Sequence, residues 1–215
     1  MIKIAIAGAA GRMGTTLAQA IHQTEGMRLV GAIEQPDSSM IGADVGEMAG
    51  LGKIDLPISH SIGELLGTID VLIDFSSPHA TASNATNCAN KGVKLVVGTT
   101  GLSKEHLAAV RSASEQIPIC MASNFSTGVN LCLKLAALAA EILGNEVDIE
   151  ISEAHHRDKV DSPSGTALAL GAAVADALKR DLDDVAVYGR EGQIGKRPRE
   201  AIGFSTIRAG DIVGD

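Results

Sequence analysis

The sequence has very few aromatic residues and no tryptophan. Its aromatic side chains are Phe75, Phe125, Tyr188 and Phe204. Proteins that bind single-stranded nucleic acids stack bases on aromatic side chains, so this composition argues against such a surface. The 215 residues carry a formal net charge of −8 and contain no run of lysine or arginine, which disfavours binding to a phosphate backbone. We therefore expect no nucleic-acid partner, and an anionic ligand must be bound by local groups.

Cysteine and long apolar runs are also scarce. The three cysteines, Cys88, Cys120 and Cys132, are an odd number and lack the spacing of a metal site, which fits a reducing compartment. No stretch reaches 18 consecutive apolar residues, and the apolar run after Lys3 is too short for a signal peptide. We expect a soluble, cytoplasmic protein with no membrane partner and no metal.

The first half of the chain alternates short apolar runs with helix-like segments. Strands are predicted at Ile2–Ala7, Arg28–Glu34, Val71–Phe75, Lys94–Val97 and Ile117–Met121, with a weaker candidate at Leu56–His60. Helices are predicted at 11–23, 78–90 and 103–115, between these strands. Continuous apolar strands that alternate with helices are typical of βαβ units. The pattern predicts an α/β fold in which residues 1–126 form a Rossmann-like, doubly wound parallel sheet that binds a dinucleotide.

The pattern changes near residue 127. Gly128–Leu143 is apolar nearly all round and is predicted to be a buried helix. Glu146–Glu153 alternates apolar and acidic residues, which favours a half-buried strand of antiparallel type. A helix at 164–179 and strands at 201–208 and from 211 follow. We predict a second, α+β domain over 127–215, with a mixed or antiparallel sheet.

A glycine-rich loop follows the first predicted strand and opens the first helix. It reads Gly8-Ala9-Ala10-Gly11-Arg12-Met13-Gly14. Glycines at this place let the backbone approach a pyrophosphate, which the free N–H groups of the helix bind. Glu34, at the end of the second strand, stands where an acidic residue binds the adenosine ribose. The alternative is a tight turn and an ordinary surface glutamate.

A cluster of basic residues follows the alternating strand. It reads His155-His156-Arg157-Asp158-Lys159, and Ser162-Pro163-Ser164-Gly165-Thr166 then opens a helix. Cations beside free helix N–H groups favour a small anionic substrate, and a histidine with a nearby lysine can supply protons. The alternatives are a solvated loop with an ordinary helix cap and, less favoured, a metal site at the adjacent histidines. His22, His60, His79 and His106 are interpreted as surface or structural residues.

Together these motifs resemble those of bacterial 4-hydroxy-tetrahydrodipicolinate reductases, the dihydrodipicolinate reductase family. The resemblance covers the whole chain, and its most specific motif is the last of the five: GAAGRMG at 8–14, Glu34, GTTG at 98–101, SNFSTGVN at 123–130 and EAHHRDKVDSPSGTAL at 153–168. It implies the reduction of a cyclic dicarboxylate by NADH or NADPH, on the diaminopimelate route to lysine. It also implies that the domain over 127–215 serves substrate binding and oligomerisation, and that the chain forms a homotetramer when full length.

The resemblance also implies a role for each matching residue. The pyrophosphate would lie on Gly8, Ala9, Ala10, Gly11, Arg12 and Met13, and Glu34 would bind the adenosine ribose. The nicotinamide end would be lined by Gly98, Thr99, Thr100, Ala122, Ser123, Asn124 and Phe125. His155 would be the acid/base residue and Lys159 the proton donor. The substrate carboxylates would be bound by His156, Gly165 and Thr166.

Three further expectations concern cofactor, chain end and rival functions. Gln35, after Glu34, carries no charge for a 2′-phosphate, so NADH is expected to serve at least as well as NADPH. The chain stops inside a predicted strand, so we expect the second domain to be incomplete.

Two rival functions are considered. One is a different two-domain nicotinamide dehydrogenase, of the aspartate-semialdehyde or homoserine type. The aspartate-semialdehyde type needs a nucleophilic cysteine, but Cys120 and Cys132 have no histidine nearby in the sequence. The other is an inactive or truncated nucleotide-binding protein of the same fold.

Overall fold

The computed structural model describes residues 1–63 and 65–215, which form two compact units. The first unit spans Met1–Ala122 and the second Ser123–Asp215. The domain boundary predicted after residue 126 lies a few residues inside the second unit.

The first unit is a parallel sheet with helices between its strands, as the α/β pattern predicts. Its five-stranded sheet has the order β2-β1-β3-β4-β5, and each pair of neighbours is parallel. The elements are β1 (Ile2–Ala7), α1 (Arg12–Gln23), β2 (Met27–Ile33), α2 (Val45–Met48), β3 (Val71–Asp74), α3 (Pro78–Lys91), β4 (Lys94–Val97), α4 (Lys104–Ser114) and β5 (Ile119–Met121).

The strand order reverses beside β1, and this reversal determines where a ligand can bind. Ala7 lies opposite Ile33 of β2 and Asp74 of β3, so the three strands end at the same edge of the sheet. The loops after β1 and β3 diverge from this edge because their helices cover opposite faces of the sheet. A crevice at such a switch point is the usual ligand site of an open α/β sheet.

Both faces of this sheet are buried, which explains the continuous apolar runs of its strands. Ile4 and Ile6 pack on one face, and Leu72 and Leu95 pack on the other. The weak strand candidate at 56–60 is not a strand. It makes only isolated bridges, Ile33 with Ser59 and Asp44 with Pro57, and contributes the buried side chain of Ile58 to the core.

The second unit contains a smaller sheet and two longer helices. Its elements are α5 (Thr127–Leu143), a 3-10 turn (Gly144–Glu146), β6 (Ile149–His155), α6 (Gly165–Ala177), α7 (Leu182–Val185), β7 (Ala186–Tyr188) and β8 (Ile202–Arg208). The sheet order is β6-β8-β7, and its core contains Ile151, Val174, Ile202 and Phe204.

The strand directions in this sheet correct one sequence prediction. Both β6 and β7 pair with β8 in parallel, so the strand predicted at 146–153 is not antiparallel to its neighbour. The alternation of apolar and acidic residues shows that one face of β6 is buried. Side chains alternate between the two faces in parallel and antiparallel strands alike, so the alternation does not indicate strand direction. An antiparallel contact occurs at the other edge of β6, where Ala154 and Asp215 exchange both backbone hydrogen bonds at 2.9 Å. The strand predicted from 211 is irregular chain.

Helix α5 has the predicted position but not the predicted burial. One side packs against α6, and Ala140 is its buried residue. An apolar stripe on the helix stays exposed, with relative accessibilities of 52–72% at Leu131, Leu135, Leu138 and Ile142. Apolar composition predicts that a helix needs a partner, but it does not say that the same chain provides it. By length and composition 127–146 is also apolar enough to cross a membrane, which is weak evidence alone.

Candidate active site

The glycine-rich loop has the backbone geometry of an anion site. Gly8 has φ +79°, and a Cβ there would overlap the carbonyl of Phe75. A Cβ at Gly14 would overlap the carbonyls of Gly8 and Ala9. Gly11 is the N-cap of α1, and within the described ranges no side chain caps this helix. The first N–H groups of α1 therefore remain available to an anionic ligand.

Glu34 contacts the glycine-rich loop directly. Its Oε2 accepts a hydrogen bond from the Ala10 N–H at 3.0 Å, and its Oε1 accepts one from the Gln35 N–H at 3.0 Å. The N–H groups of Gly8 and Ala9 donate to the carbonyl of Ile33. The structure thus brings together the loop and the acidic residue that lie more than twenty positions apart in the sequence.

A cavity of about 720 Å³ opens beside this loop. Gly8, Gly11, Glu34 and Gln35 line one part of it, and the segment after β3 lines another. Its volume lies within the range of pockets for small molecules and cofactors. His60 and His79, interpreted from sequence as surface or structural residues, also line it and are exposed. The cavity, the glycines and the uncapped helix fit a dinucleotide.

A buried polar network supports the loops after β3 and β4. Asp74 is fully buried, and its carboxylate accepts hydrogen bonds from the Ser76 N–H, Asn84 Nδ2 and Thr99 Oγ1 at 2.9–3.3 Å. Thr81 Oγ1 donates to Thr99 Oγ1 at 2.9 Å. This network holds Thr99, a predicted cofactor residue, in a fixed position.

The Asp74 network was absent from the sequence predictions. The available signal was a carboxylate at the end of an apolar strand, in the segment Val71–Phe75. The pKa of the nearby Cys88 thiol is raised to about 12 because the group is buried and Asp74 opposes its ionisation. Cys88 is therefore an unreactive core residue.

The other predicted residues of the nicotinamide end have different surroundings. A Cβ at Gly98 would overlap the Phe75 ring, so this glycine allows close packing. Thr100 is exposed. Ala122 ends the first unit and donates its N–H to the carbonyl of Val97 at 3.2 Å.

In the second unit, Asn124 lies next to a residue predicted to bind substrate. Its Nδ2 donates to Thr166 Oγ1 at 3.4 Å, and its Oδ1 accepts from the Ser126 N–H at 2.7 Å. Ser123 is exposed, and 46% of Phe125 is exposed. Asn124 therefore joins the segment before α5 to the first turn of α6.

His155 is the last residue of β6, and a buried carboxylate holds its ring. Glu153 Oε2 lies 2.6 Å from His155 Nδ1. Arg208 at the end of β8 donates from both Nη atoms to the two Glu153 oxygens at 2.9 Å. The parallel pairing of β6 and β8 places His155 opposite Arg208 and explains why these groups meet.

The Arg208 guanidinium keeps Glu153 ionised. It lowers the pKa of the Glu153 carboxyl to about 2, with smaller contributions from His155 and the Ser164 N–H, while burial acts in the opposite direction. The ion pair in turn raises the pKa of Arg208. Glu153 is therefore an anion at neutral pH.

The remaining residues of the basic cluster occupy the loop between β6 and α6. Lys159 Nζ donates to Asp161 Oδ1 at 2.7 Å, and its side chain is largely buried. His156 is half-buried, whereas Arg157 is exposed. Burial is the largest single influence on the pKa of Asp161 and raises it, but the hydrogen bond and charge of Lys159, together with backbone hydrogen bonds, lower the pKa overall.

The loop ends at the start of α6. Ser164 is the N-cap, and its Oγ accepts from the Ala167 N–H at 3.2 Å. Gly165 and Thr166 form the first turn, where N–H groups lack helical partners. The structure therefore brings His155 and this helix start together, since Glu153 accepts hydrogen bonds from both His155 and the Ser164 N–H.

Comparisons with known proteins cover the whole chain. The family profile described as "Dihydrodipicolinate reductase, N-terminus" matches residues 2–125, and that for the C-terminus matches 128–215. A curated 4-hydroxy-tetrahydrodipicolinate reductase of Saccharophagus degradans is 54% identical over 213 residues, which are 99% of this chain and 80% of that protein.

Solved structures agree in fold. A dipicolinate-bound dihydrodipicolinate reductase from Paenisporosarcina sp. TG-14 matches with a TM-score of 0.71 and 26% identity, over 100% of this chain and 81% of that one. A myo-inositol 2-dehydrogenase from Lactobacillus plantarum has a TM-score of 0.52 and 16% identity, over 72% of this chain and 45% of that one, and shows the fold alone. The chain belongs to the dihydrodipicolinate reductase family.

Proposed function

We propose that this oxidoreductase reduces 4-hydroxy-tetrahydrodipicolinate to tetrahydrodipicolinate and water, with NADH or NADPH as reductant, in the diaminopimelate route of lysine biosynthesis. The observation that carries the proposal is the arrangement of His155, Lys159 and the start of α6 around one loop. This loop offers cations, proton donors and helix N–H groups to a small cyclic dicarboxylate. The relative from Saccharophagus degradans carries the name of this reaction.

The first unit is proposed to bind the nicotinamide cofactor. The pyrophosphate would lie along Gly8–Met13, where the N–H groups of Arg12 and Met13 at the start of α1 would bind it, and Glu34 would accept hydrogen bonds from the adenosine ribose. The nicotinamide lies against Gly98, Thr99 and Thr100, with the segment Ala122–Phe125 completing its site. When bound, the reduced nicotinamide supplies a hydride to an electron-poor carbon of the substrate ring.

The second unit is proposed to bind the substrate and to move protons. His156 and the N–H groups of Gly165 and Thr166 bind the two carboxylates. Lys159 neutralises the charge that develops in the ring and donates a proton, with His155 as the acid/base residue. The hydroxyl group leaves as water, so the net reaction consumes one hydride and one proton.

The cofactor preference follows from the end of β2. Glu34 carries the only charge in the pair Glu34-Gln35, and a carboxylate there repels a 2′-phosphate. We propose that NADH serves at least as well as NADPH. The measurement is kcat/KM for each cofactor at saturating substrate, and a large advantage of NADPH would contradict it.

The same proposal includes a cytoplasmic location and a homotetramer. The exposed apolar stripe of α5 and the exposed Tyr188 and Ile207 of the second sheet support self-association. Sedimentation velocity tests the assembly, and a monomer at micromolar concentration would contradict it. No nucleic-acid or membrane partner is included.

Calorimetry tests the proposed function directly. NADH is titrated with and without pyridine-2,6-dicarboxylate, a planar analogue of the substrate. We expect both to bind, and we expect Lys159→Ala to weaken the dicarboxylate only. NADH binding with no dicarboxylate effect would instead support the alternative of a nucleotide-binding protein without turnover.

A further inference from the structure

Glu153 occupies a place that the reaction alone does not explain. Its side chain is only 6% exposed, which leaves little of it for a substrate to contact. Yet it contacts three groups from three elements: His155 on β6, Arg208 on β8 and the Ser164 N–H at the start of α6. A buried carboxylate with so many partners fixes their relative positions.

The charge of Glu153 determines which nitrogen of His155 carries a proton. An ionised carboxylate has no proton to donate, so the 2.6 Å contact requires a hydrogen on Nδ1. In the neutral imidazole this leaves the lone pair on Nε2. The backbone of Gly214 passes beside that nitrogen, since a Cβ built there would lie 3.1 Å from Nε2.

Arg208 limits what Glu153 can do. It shares Oε2 with His155, and its Nη2 also donates to the Asp161 carbonyl at 2.6 Å. Because Arg208 stabilises the carboxylate as an anion, Glu153 does not take the proton from His155. The Nε of Arg208 is buried and has no hydrogen-bond partner among the described residues, so its two Nη groups hold the guanidinium in place.

We propose that Glu153, held by Arg208, is a positioning residue that fixes His155 as the Nδ1–H tautomer and holds its ring beside the start of α6, because the same carboxylate also accepts the Ser164 N–H. This inference rests on the proposed function for the role of His155, but the tautomer itself does not depend on it. Glu153 acts through His155 and does not contact substrate.

Glu150 provides a matched control on the same strand. It also accepts two hydrogen bonds from one arginine, Arg190, at 2.8 Å, and it contacts Arg197. Its side chain is 39% exposed, and it has no contact with His155 among the described residues. Glu150→Gln therefore removes the same charge and the same type of ion pair without touching the histidine.

The test compares Glu153→Gln with Glu150→Gln in steady-state kinetics. We expect Glu153→Gln to lower kcat by about 10- to 1000-fold, below the ~10⁴-fold loss known for a histidine left in the wrong tautomer, because the amide oxygen still accepts a hydrogen bond. The KM for NADH should stay within about twofold, and Glu150→Gln should retain kcat. Unchanged kcat in Glu153→Gln, or an equal loss in both variants, would overturn the proposal.

Nitrogen-15 NMR gives a second readout that needs no turnover. In the unaltered protein at neutral pH, the His155 signal should show hydrogen on Nδ1, and Glu153→Gln should populate both tautomers. Arg208→Lys keeps a cation beside the carboxylate and is used if Glu153→Gln does not fold; it should change the tautomer signal less. An unaltered protein with hydrogen on Nε2 would overturn the proposal. If NMR confirms the tautomer but the unaltered protein does not turn over the substrate, the proposed function fails instead.

Discussion

The two units offer different chemical groups at the ends of their strands. In the first unit, the groups at the crevice are mostly backbone N–H groups, shaped by Gly8 and Gly14 and by an uncapped helix. In the second unit, they are side chains in ion pairs, above all Glu153 with Arg208 and Lys159 with Asp161. The first arrangement requires free space beside the glycines and a particular backbone conformation, whereas the second requires accurately placed charges.

This difference determines how each site responds to mutation and to pH. A backbone site has no side chain to remove and does not titrate, so it fails when a Cβ fills its space. A site of ionised side chains tolerates small changes of shape but depends on protonation and on each partner. The following variants test this contrast, from the largest expected effect to the smallest.

Lys159→Met is expected to have the largest effect. If Lys159 donates the proton as proposed, its loss should lower kcat by about 10²- to 10⁴-fold. Lys53→Met is the matched control, because Lys53 also pairs with an aspartate two positions on, at 2.8 Å to Asp55, but in the first unit. Stopped-flow and steady-state assays measure both variants, and comparable losses would remove the distinction between the units.

Glu153→Gln should lower stability in a pH-dependent way. The pKa of Glu153 is about 2 in the folded chain against 4.5 when unperturbed, so the ionised carboxylate stabilises the fold by about 3 kcal/mol above pH 4.5. This contribution is lost as the pH falls from 4.5 towards 2. The difference in free energy of unfolding between the unaltered protein and Glu153→Gln should therefore shrink over that interval, as urea titrations at several pH values will show.

Glu150→Gln sharpens the same experiment. Arg190 lowers the pKa of Glu150, but 39% of this side chain is exposed and solvent screens the pair. Its loss should cost well under half as much free energy as that of Glu153→Gln. Equal costs would show that burial does not distinguish the two ion pairs.

Gly8→Ala tests the backbone site. The left-handed conformation and the overlap with the Phe75 carbonyl should weaken NADH binding by about 10- to 100-fold, equivalent to 1–3 kcal/mol of strain. Gly26→Ala is the control: Gly26 has φ +83° but open space around its Cβ position. Both variants should lose stability, but only Gly8→Ala should lose affinity in calorimetry.

Ser164→Ala should have the smallest effect. Removal of the N-cap of α6 costs about 1 kcal/mol of stability, as does Ser103→Ala at the start of α4. Only Ser164→Ala should also raise the KM for the dicarboxylate substrate, by about two- to fivefold, because it loosens the helix start that is proposed to bind it. Thermal unfolding and kinetics on both variants separate these effects.

The sequence predicts the backbone site better than the charged one. The glycine-rich loop and Glu34 belong to a local strand-loop-helix pattern whose spacing is fixed by the βαβ unit. Glu153 and Arg208 are 55 residues apart and meet only because β6 pairs with β8. No periodicity in the chain indicates that pairing, so His155 was predicted as a site residue without Glu153 and Arg208, which hold it.

The errors in the fold have a related cause. Alternation in 146–153 predicts which face is buried, but strand direction depends on connections made elsewhere in the chain. Apolar residues around α5 predict burial, but the structure leaves Leu131, Leu135 and Ile142 exposed. In both cases the local pattern indicates which apolar side chains need a buried environment. Tertiary or quaternary contacts then determine which part of the protein buries them and in which direction the strands run. The five strands of the first unit needed only local patterns.

The contact between Glu34 and the Ala10 N–H gives the glycine-rich loop an internal ligand. A carboxylate that accepts this hydrogen bond at 3.0 Å competes with an incoming phosphate for the same donor. Because it is tethered to the loop, it acts at a high effective concentration that the solution does not change. Under the proposed function, nucleotide binding would therefore be an exchange in which Glu34 releases the Ala10 N–H and accepts the ribose, so that the measured affinity is the difference in free energy between the two states.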